Sequence, residues 1–390
     1  MILPGAVLGV LGGGQLGRMF TVRAREMGYQ VIVLDPDHGS PAGAIADHHI
    51  AAQYDDAIAL EEMATKCAAI TTEFENVPAD VLARLAERVP VRPGPEAVAI
   101  AQDRIAEKAY LQREGFPTTP FQVVRSPDDL ARAWDAVGSP ALLKTARLGY
   151  DGKGQASVTD RESLTDAFAR FRGASCVLER RLDLEAELSV VLARGVDGEL
   201  ACFPPIENVH VNGILYTSTV PARVTTALTD EARDLAMSLA ARLEYVGVMA
   251  VEMFVADGGA LFVNELAPRP HNSAHFTLDA CVTDQFEQQV RALCGLPLGD
   301  PRLISPVAMI NLLGDLWHDG DPPWHNALSR HGVKLHLYGK HHPRPGRKMG
   351  HLNCLAGSAD EALALALDAH QALAAPAPAP APAPAATSTS

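Results

Sequence analysis

Gly247-Val-Met-Ala-Val-Glu252-Met-Phe-Val-Ala-Asp-Gly-Gly-Ala-Leu-Phe-Val-Asn264-Glu265 holds two apolar, strand-like runs on either side of Asp257-Gly258-Gly259-Ala260. An Asp-Gly-Gly cluster between such runs is a strong hairpin signal. With Gly258 and Gly259 as the two loop residues, Asp257 pairs with Ala260. Counting outward then sets Glu252 directly opposite Glu265. Like charges opposed across an apolar sheet are destabilising. A divalent cation between them removes the difficulty. The carboxylates of Glu252 and Glu265 with the Asn264 amide suit Mg²⁺, which completes its shell with water and substrate phosphate.

Upstream, Ala141-Leu142-Leu143-Lys144 reads as a strand ending in a lysine. Leu148-Gly149-Tyr150-Asp151-Gly152-Lys153-Gly154-Gln155 follows, a glycine-rich loop whose amides suit phosphate oxygens. Cys176-Val177-Leu178-Glu179 is a further apolar strand, running into Arg180-Arg181-Leu182 and then Glu187. A carboxylate and a strand edge here suit the amine and hydroxyl donors of a nucleoside.

The chain opens on a different pattern. Val7–Leu11 reads as a buried strand, Gly12 to Gly14 as a turn, and the next stretch as a helix with Leu16, Met19, Phe20, Ala24 and Met27 on one face. Gly28 closes the helix and Val31–Leu34 forms a second strand, so the first hundred residues read as an open parallel sheet. Gly12-x-Gly14-x-x-Gly17 with Asp35 matches a dinucleotide fingerprint, which taken alone favours a nicotinamide-dependent oxidoreductase. The physics is more general: glycines let backbone N–H groups approach any anion at a helix N-terminus, a ribose phosphate included. A helix is expected through Ala97–Arg113, mixed strands and helices to about residue 300, and a β-rich segment beyond Leu296-Pro297. From residue 374 the Ala-Pro and Thr-Ser sequence reads as a disordered tail.

Composition bounds the alternatives. With 33 basic against 47 acidic residues the net charge is −14, which argues against nucleic acid and anionic membranes as partners. No apolar run reaches the ~20 residues of a membrane span, and no secretory pattern opens the chain, so a cytoplasmic protein is expected. Six scattered cysteines form no CxxC pair and read as buried thiols. Against the acidic background, Lys340, Arg344, Arg347 and Lys348 fall within nine residues, a concentration suited to phosphate.

In this order the motifs resemble the ATP-grasp superfamily, and within it the ligases that carboxylate 5-aminoimidazole ribonucleotide in purine biosynthesis. The resemblance runs from Val7 to about Cys354. It rests on Gly-Gly-Gly-Gln-Leu-Gly-Arg-Met at 12–19, Thr-Glu-Phe-Glu-Asn-Val at 72–77 and Gln-Asp-Arg at 102–104. It continues in Gly-Tyr-Asp-Gly-Lys-Gly-Gln at 149–155, Asn-Glu-Leu-Ala-Pro-Arg-Pro-His-Asn-Ser at 264–273 and Arg-Pro-Gly-Arg-Lys-Met-Gly-His at 344–351.

The resemblance implies an α/β and α+β architecture: an N-terminal Rossmann-like domain (1–100), an ATP-grasp domain (101–300), a small C-terminal β-rich domain (301–373) and the tail (374–390). It implies ATP contacts from Arg104, Lys144, Gly149, Tyr150, Asp151, Gly152, Lys153, Gly154, Gln155, Glu179, Arg180, Arg181, Leu182, Glu187, His210, Asn264 and Glu265. Mg²⁺, with Mn²⁺ as a substitute, falls to Glu252 and Glu265. The ribonucleotide falls to Gly14, Gln15, Leu16, Glu73, Asp151, Arg269, His271, Asn272, Lys340, Arg347 and Lys348. Lys144, Asp151 and Arg269 are the expected catalytic groups, bicarbonate the carbon source and a homodimer the expected assembly. Ala274 departs from the glycine the motif leads one to expect, a methyl group that would narrow the site. The competing readings are a biotin carboxylase-like or formate-dependent ligase of the same superfamily, and the oxidoreductase.

Overall fold

The computed structural model describes residues 1–149 and 153–374. Its first sheet is parallel, in the order His48–Ile50, Gln30–Leu34, Val7–Leu11, Ala69–Thr72. Near-continuous burial of the last three strands fits a sheet covered on both faces, with His48–Ile50 as its exposed edge. Leu11, Ile32 and Leu34 pack on Leu60, Met63, Val81 and Leu82 of one helical layer. Leu8, Val10, Val31 and Val33 pack on Leu16, Phe20 and Ala24, and on Phe286, Val290 and Leu293 from far along the chain. The parallel opening read from the apolar periodicity is therefore present, and Gly28 closes the first helix with φ +85°.

The helix expected through Ala97–Arg113 is two helices, Pro95–Gln102 and Arg104–Arg113. Asp103 breaks it: its extended backbone turns the chain and its carboxylate accepts from Ile105 N at 2.9 Å and Ala106 N at 3.4 Å. An aspartate N-cap of this kind overrides a continuous apolar pattern. The second helix then presents Arg104, Glu107 and Lys108 one turn apart on a common face.

A four-stranded antiparallel sheet follows, ordered Phe121–Val124, Cys176–Arg180, Ala141–Thr145, Gln155–Val158. One face packs on Leu130, Ala133, Leu164 and Phe168 from two helices. Among the described residues the third sheet has nine strands, from Ala260–Ala267 and Gly247–Ala256 at one edge, through Leu184–Arg194 and Ile206–Val211, to Val307–Leu313, Lys348–Leu355 and Val333–Leu337. The C-terminal strands thus extend the sheet that carries the carboxylate hairpin.

The hairpin register was reached in the sequence by two offsetting errors. Ala256, not Asp257, pairs with Ala260, so the loop has three residues, Asp257, Gly258 and Gly259, each at positive φ. A bulge between Glu252 and Met253 on one side and Glu265 and Val263 on the other takes up Asn264. The extra residue restores Glu252 opposite Glu265. All six cysteines are free, and burial pushes the thiols of Cys67, Cys281 and Cys354 up to about 12. The helix Ala359–Ala374 takes in the first residue of the expected tail; residues 375–390 lie outside the described residues. No helix among the described residues is long and apolar enough to cross a membrane.

Candidate active site

The candidate site gathers where the helix Arg104–Arg113 packs against strands of both antiparallel sheets. Lys144 and Glu179 sit on paired strands of the smaller sheet, with Lys144 Nζ 2.9 Å from Glu179 Oε2. Lys108 Nζ lies 3.8 Å from the same oxygen and donates to Thr118 Oγ1 at 2.8 Å. All three charged groups are buried. Burial pushes the Glu179 carboxyl up, but Lys144, Lys108 and Arg104 outweigh it and hold it at about 2. Two cations on one carboxylate leave net positive charge in a water-poor space, the condition for attracting phosphate.

On the larger sheet, Arg104 Nη2 donates to Glu265 Oε2 at 3.0 Å, and His271 Nε2 lies 2.9 Å from Glu252 Oε1. The two glutamates are therefore not opposed bare, as the sequence alone suggested; each already has a cationic or N–H partner on its flank. Burial raises Glu252, yet the His271 bond and the nearby His210 and Arg269 charges carry it below the usual carboxylate range. Arg104 Nη1 and the bulged Asn264 Oδ1 are buried with no hydrogen-bond partner. A bulge re-aims side chains, and here it inserts Asn264 next to Glu265 in the strand that faces Glu252. The unmatched oxygen fits a hard cation with oxygen ligands. A third histidine, cysteine or carboxylate ligand is absent among the described residues, which leaves the rest of the shell to water and phosphate.

Beside this pair, Glu187 Oε2 lies 2.7 Å from His210 Nδ1. Burial lowers His210, but Glu187 more than compensates and raises it. Arg180 reaches outward to Asp257 at the hairpin tip, 3.1 Å away, while Leu182 is buried and Arg181 exposed. Gly149, Lys153 and Gly154 are described residues of the loop joining Ala141–Thr145 to Gln155–Val158. Thr145 N donates to Gly154 O at 2.8 Å, and Gly154 has φ +73°. Tyr150, Asp151 and Gly152 lie outside the described residues.

The glycine turn near the N-terminus is occupied by the chain itself. Glu73 accepts from Gly14 N at 2.5 Å and from Gly17 N at 2.7 Å. A Cβ at Gly12 or Gly14 would come within 2.3 or 2.4 Å of the Glu73 side chain. The glycines admit an anion, as expected, and that anion is a carboxylate of the same chain. Burial raises Glu73, with the Gly17 and Gly14 N–H groups acting against it. Asp35 is likewise used up, accepting from Gly13 N at 2.6 Å and Tyr54 Oη at 2.8 Å. The acidic group a dinucleotide ribose would need is committed to the turn. Leu16 points into the core, and Gln15 Oε1 accepts from Lys340 Nζ at 2.7 Å.

Arg269 is half-buried and bonded to Glu75 at 2.5 Å, a link between the hairpin's exit and the N-terminal sheet. Both amide atoms of buried Asn272 lack a protein partner. Lys340 also donates to Lys348 O at 2.7 Å, and Arg347 Nη1 to His342 O at 2.8 Å, so the basic segment folds on itself around Gln15. Ala274 belongs to the apolar cluster with Phe203, Phe276 and Met309. Its methyl group fills core and does not narrow the cleft. The sequence reading missed Lys108, Glu75 and Glu107, which accepts from Leu266 N at 2.6 Å. Lys108 and Glu107 carry a usable signal, two charges on the inner face of a helix; Glu75 shows nothing locally.

Known proteins match most of this chain's length. Family models match as an ATP-grasp domain over residues 109–286, a ribonucleotide synthetase preATP-grasp domain over 6–102, and a phosphoribosylaminoimidazole carboxylase C-terminal domain over 307–365. N5-carboxyaminoimidazole ribonucleotide synthase of Bacillus subtilis is 46% identical over 363 residues, spanning 93% of this chain and 94% of that one. A crystal structure of an N5-carboxyaminoimidazole ribonucleotide synthetase with ADP aligns at TM-score 0.90 and 42% identity, covering 95% of this chain and 97% of that one. The Aspergillus clavatus synthase in complex with ADP and 5-aminoimidazole ribonucleotide aligns at TM-score 0.86 and 30% identity, over 94% of this chain and 98% of that one.

Proposed function

The chain belongs to the N5-carboxyaminoimidazole ribonucleotide synthase family of ATP-grasp ligases, and from that premise we propose how its cleft works. It is an ATP-dependent carbon–nitrogen ligase of purine biosynthesis that carboxylates 5-aminoimidazole ribonucleotide. Bicarbonate is the carbon source in our reading. A bicarbonate oxygen attacks the γ-phosphorus of ATP, the bond to the β-phosphate oxygen breaks, and ADP leaves with carboxyphosphate formed. Carboxyphosphate then releases phosphate and CO₂. The exocyclic amine of the ribonucleotide attacks the CO₂ carbon and loses a proton, giving the carbamate.

Phosphoryl transfer of this kind is catalysed by positioning and charge more than by covalent chemistry. Lys144, from the smaller sheet, and Arg104, from the helix Arg104–Arg113, offset negative charge on the phosphates. Mg²⁺ held by Glu252, Glu265 and the Asn264 oxygen supplies further charge compensation when bound. Glu179, the strand exit Arg180–Leu182, Glu187 and His210 bind the nucleoside end of ATP. The loop 149–155 covers its phosphates. Arg269, His271, Asn272, Lys340, Arg347 and Lys348 hold the ribonucleotide, with Gln15 beside Lys340; Gly14, Leu16 and Glu73, committed to the turn and the core, support that floor from behind. Asp151 orients or deprotonates the amine. The protein acts in the cytoplasm as a homodimer, divided at about residues 100 and 300.

One observation carries this reading: two opposed glutamates at a bulge whose Asn264 amide oxygen has no partner, with Arg104 of the crossing helix bonded to one of them. The test is ADP release with and without Mg²⁺, bicarbonate and 5-aminoimidazole ribonucleotide. Release that requires Mg²⁺ and is strongly stimulated by the ribonucleotide is expected. Stimulation by glycinamide ribonucleotide with formate would move the chain to another branch of the superfamily.

A further inference from the structure

His271 sits at the end of a chain of buried hydrogen bonds whose direction can be worked out atom by atom. Ser273 N donates to His271 Nδ1 at 3.3 Å. A backbone N–H only donates, so Nδ1 carries a lone pair and the neutral ring keeps its proton on Nε2. That nitrogen lies 2.9 Å from Glu252 Oε1. Ser273 Oγ, 2.8 Å from the same Nδ1, must also donate to it. Having given its proton away, it accepts from Ser189 Oγ, 2.8 Å distant. Ser189 in turn accepts from Asn208 Nδ2 at 2.8 Å. The Asn208 oxygen is then left to take the hydroxyl of Ser218, again at 2.8 Å. Each link is fixed by the one before it, and the amide orientation of Asn208 follows instead of being assumed.

The chain crosses three strands of the large sheet, and Ser189, Ser218 and Ser273 are fully buried. Ser189 pairs directly with Glu252 in the register, so the two share a face. The same face further on carries Val191, Ala250, Ile206 and Phe276 as packed core. Apolar side chains would fill these positions at no loss of packing, and replacing both partners of a buried hydrogen bond by apolar groups is often neutral. A satisfied polar line through an apolar core instead fixes one arrangement of its members.

We infer that Ser273, Ser189, Asn208 and Ser218 are positioning residues that lock His271 in its Nε2–H form and so hold Glu252 by one carboxylate oxygen, leaving the other for the metal–nucleotide. This rests on the reading of Glu252 as a metal ligand, and it extends that reading across the sheet to residues to which it gives no substrate contact. Groups behind a metal ligand fix ring orientation and tautomer in this way.

Asn208→Asp is the sharpest variant. A carboxylate accepts from both Ser189 and Ser218, so the donors reverse: Ser189 donates to residue 208, Ser273 donates to Ser189, and Nδ1 of His271 must become a donor. Ser273→Ala is the second variant, in case the first does not fold; it removes the donor to Nδ1 without burying a charge. The readouts are ¹⁵N chemical shifts of the His271 ring nitrogens, identified by the signal lost in His271→Gln, and the Mg²⁺ concentration giving half-maximal ADP release. Wild type is expected to show an unprotonated Nδ1 and a protonated Nε2. Asn208→Asp is expected to protonate Nδ1, Ser273→Ala to populate both forms, and each to raise the Mg²⁺ requirement roughly tenfold or more. A protonated Nδ1 in wild type, or unchanged shifts and Mg²⁺ requirement in both variants, overturns the inference. Should wild type form no ADP with ribonucleotide and bicarbonate, the functional reading fails separately, since the ring shifts are read without turnover.

Discussion

Two regions of this chain are built to receive an opposite charge, and they differ in where that charge comes from. At the glycine turn, residues 12–17 leave room for an anion, and the Glu73 carboxylate fills it from a neighbouring strand end. At the hairpin, Glu252 and Glu265 stand opposite one another beside an amide oxygen with no partner in the protein. The first region is electrostatically closed and holds the fold. In the second, one polar atom is unmatched within the protein, which is what the proposed metal–nucleotide site calls for. A motif describes the shape of a charged site; only the pairing of its polar atoms tells whether the site still has something to bind.

The hairpin gives the largest expected effect. Glu252→Gln or Glu265→Gln is expected to lower steady-state ADP release by about a thousandfold, equivalent to about 4 kcal/mol of barrier. Unfolding free energy without Mg²⁺ or nucleotide is expected to fall by only about 1 kcal/mol, because His271 and Arg104 keep a neutral hydrogen-bond partner. Surviving activity would remove these residues from the metal site. A loss of stability much larger than this would make the hairpin structural, like the glycine turn.

An intermediate effect belongs to the carboxylate between the two lysines. The Glu179 pKa in the fold, about 2, lies below its ordinary value of 4.5. Its stabilisation is therefore present above about pH 4.5 and is lost as the pH falls toward 2. The shift corresponds to something of order 3 kcal/mol. Urea unfolding across that window checks it: Glu179→Gln is expected to flatten the acid side of the stability profile, and an unchanged slope would contradict the pairing.

The glycine turn gives the smallest effect and the opposite kind. Glu73→Gln replaces an acceptor facing Gly14 N or Gly17 N with a donor, and is expected to cost about 1–2 kcal/mol of unfolding free energy. If urea unfolding shows no loss, the turn is as open as the hairpin and the contrast between them collapses.

Much of this was legible in the sequence. Apolar periodicity and glycine placement revealed the parallel opening sheet, because those elements are set by neighbours in the chain. The carboxylate pair was found by counting along a hairpin, and the count succeeded although a three-residue loop and a bulge at Asn264 each broke it. Bulges leave no composition signal, so the two could not be told from none. The partners of the pair were out of reach: Arg104 lies 161 residues from Glu265, and nothing local announces such a contact. Ser189 opens the apolar run Val190–Ala193, but Asn208 and Ser218 sit among other polar residues of their strands, so their burial was not announced. The helix break at Asp103 was hidden by the apolar pattern on either side of it.

The most direct measurement is calorimetric titration of ADP, with and without Mg²⁺, into wild type and into the double variant Glu252→Gln, Glu265→Gln. In wild type, Mg²⁺ is expected to tighten ADP binding. In the double variant, folded by circular dichroism, ADP is expected to bind with an affinity indifferent to Mg²⁺. Tightening by Mg²⁺ that persists undiminished in the double variant would contradict the account, because the open charge it assigns to the hairpin would then lie elsewhere.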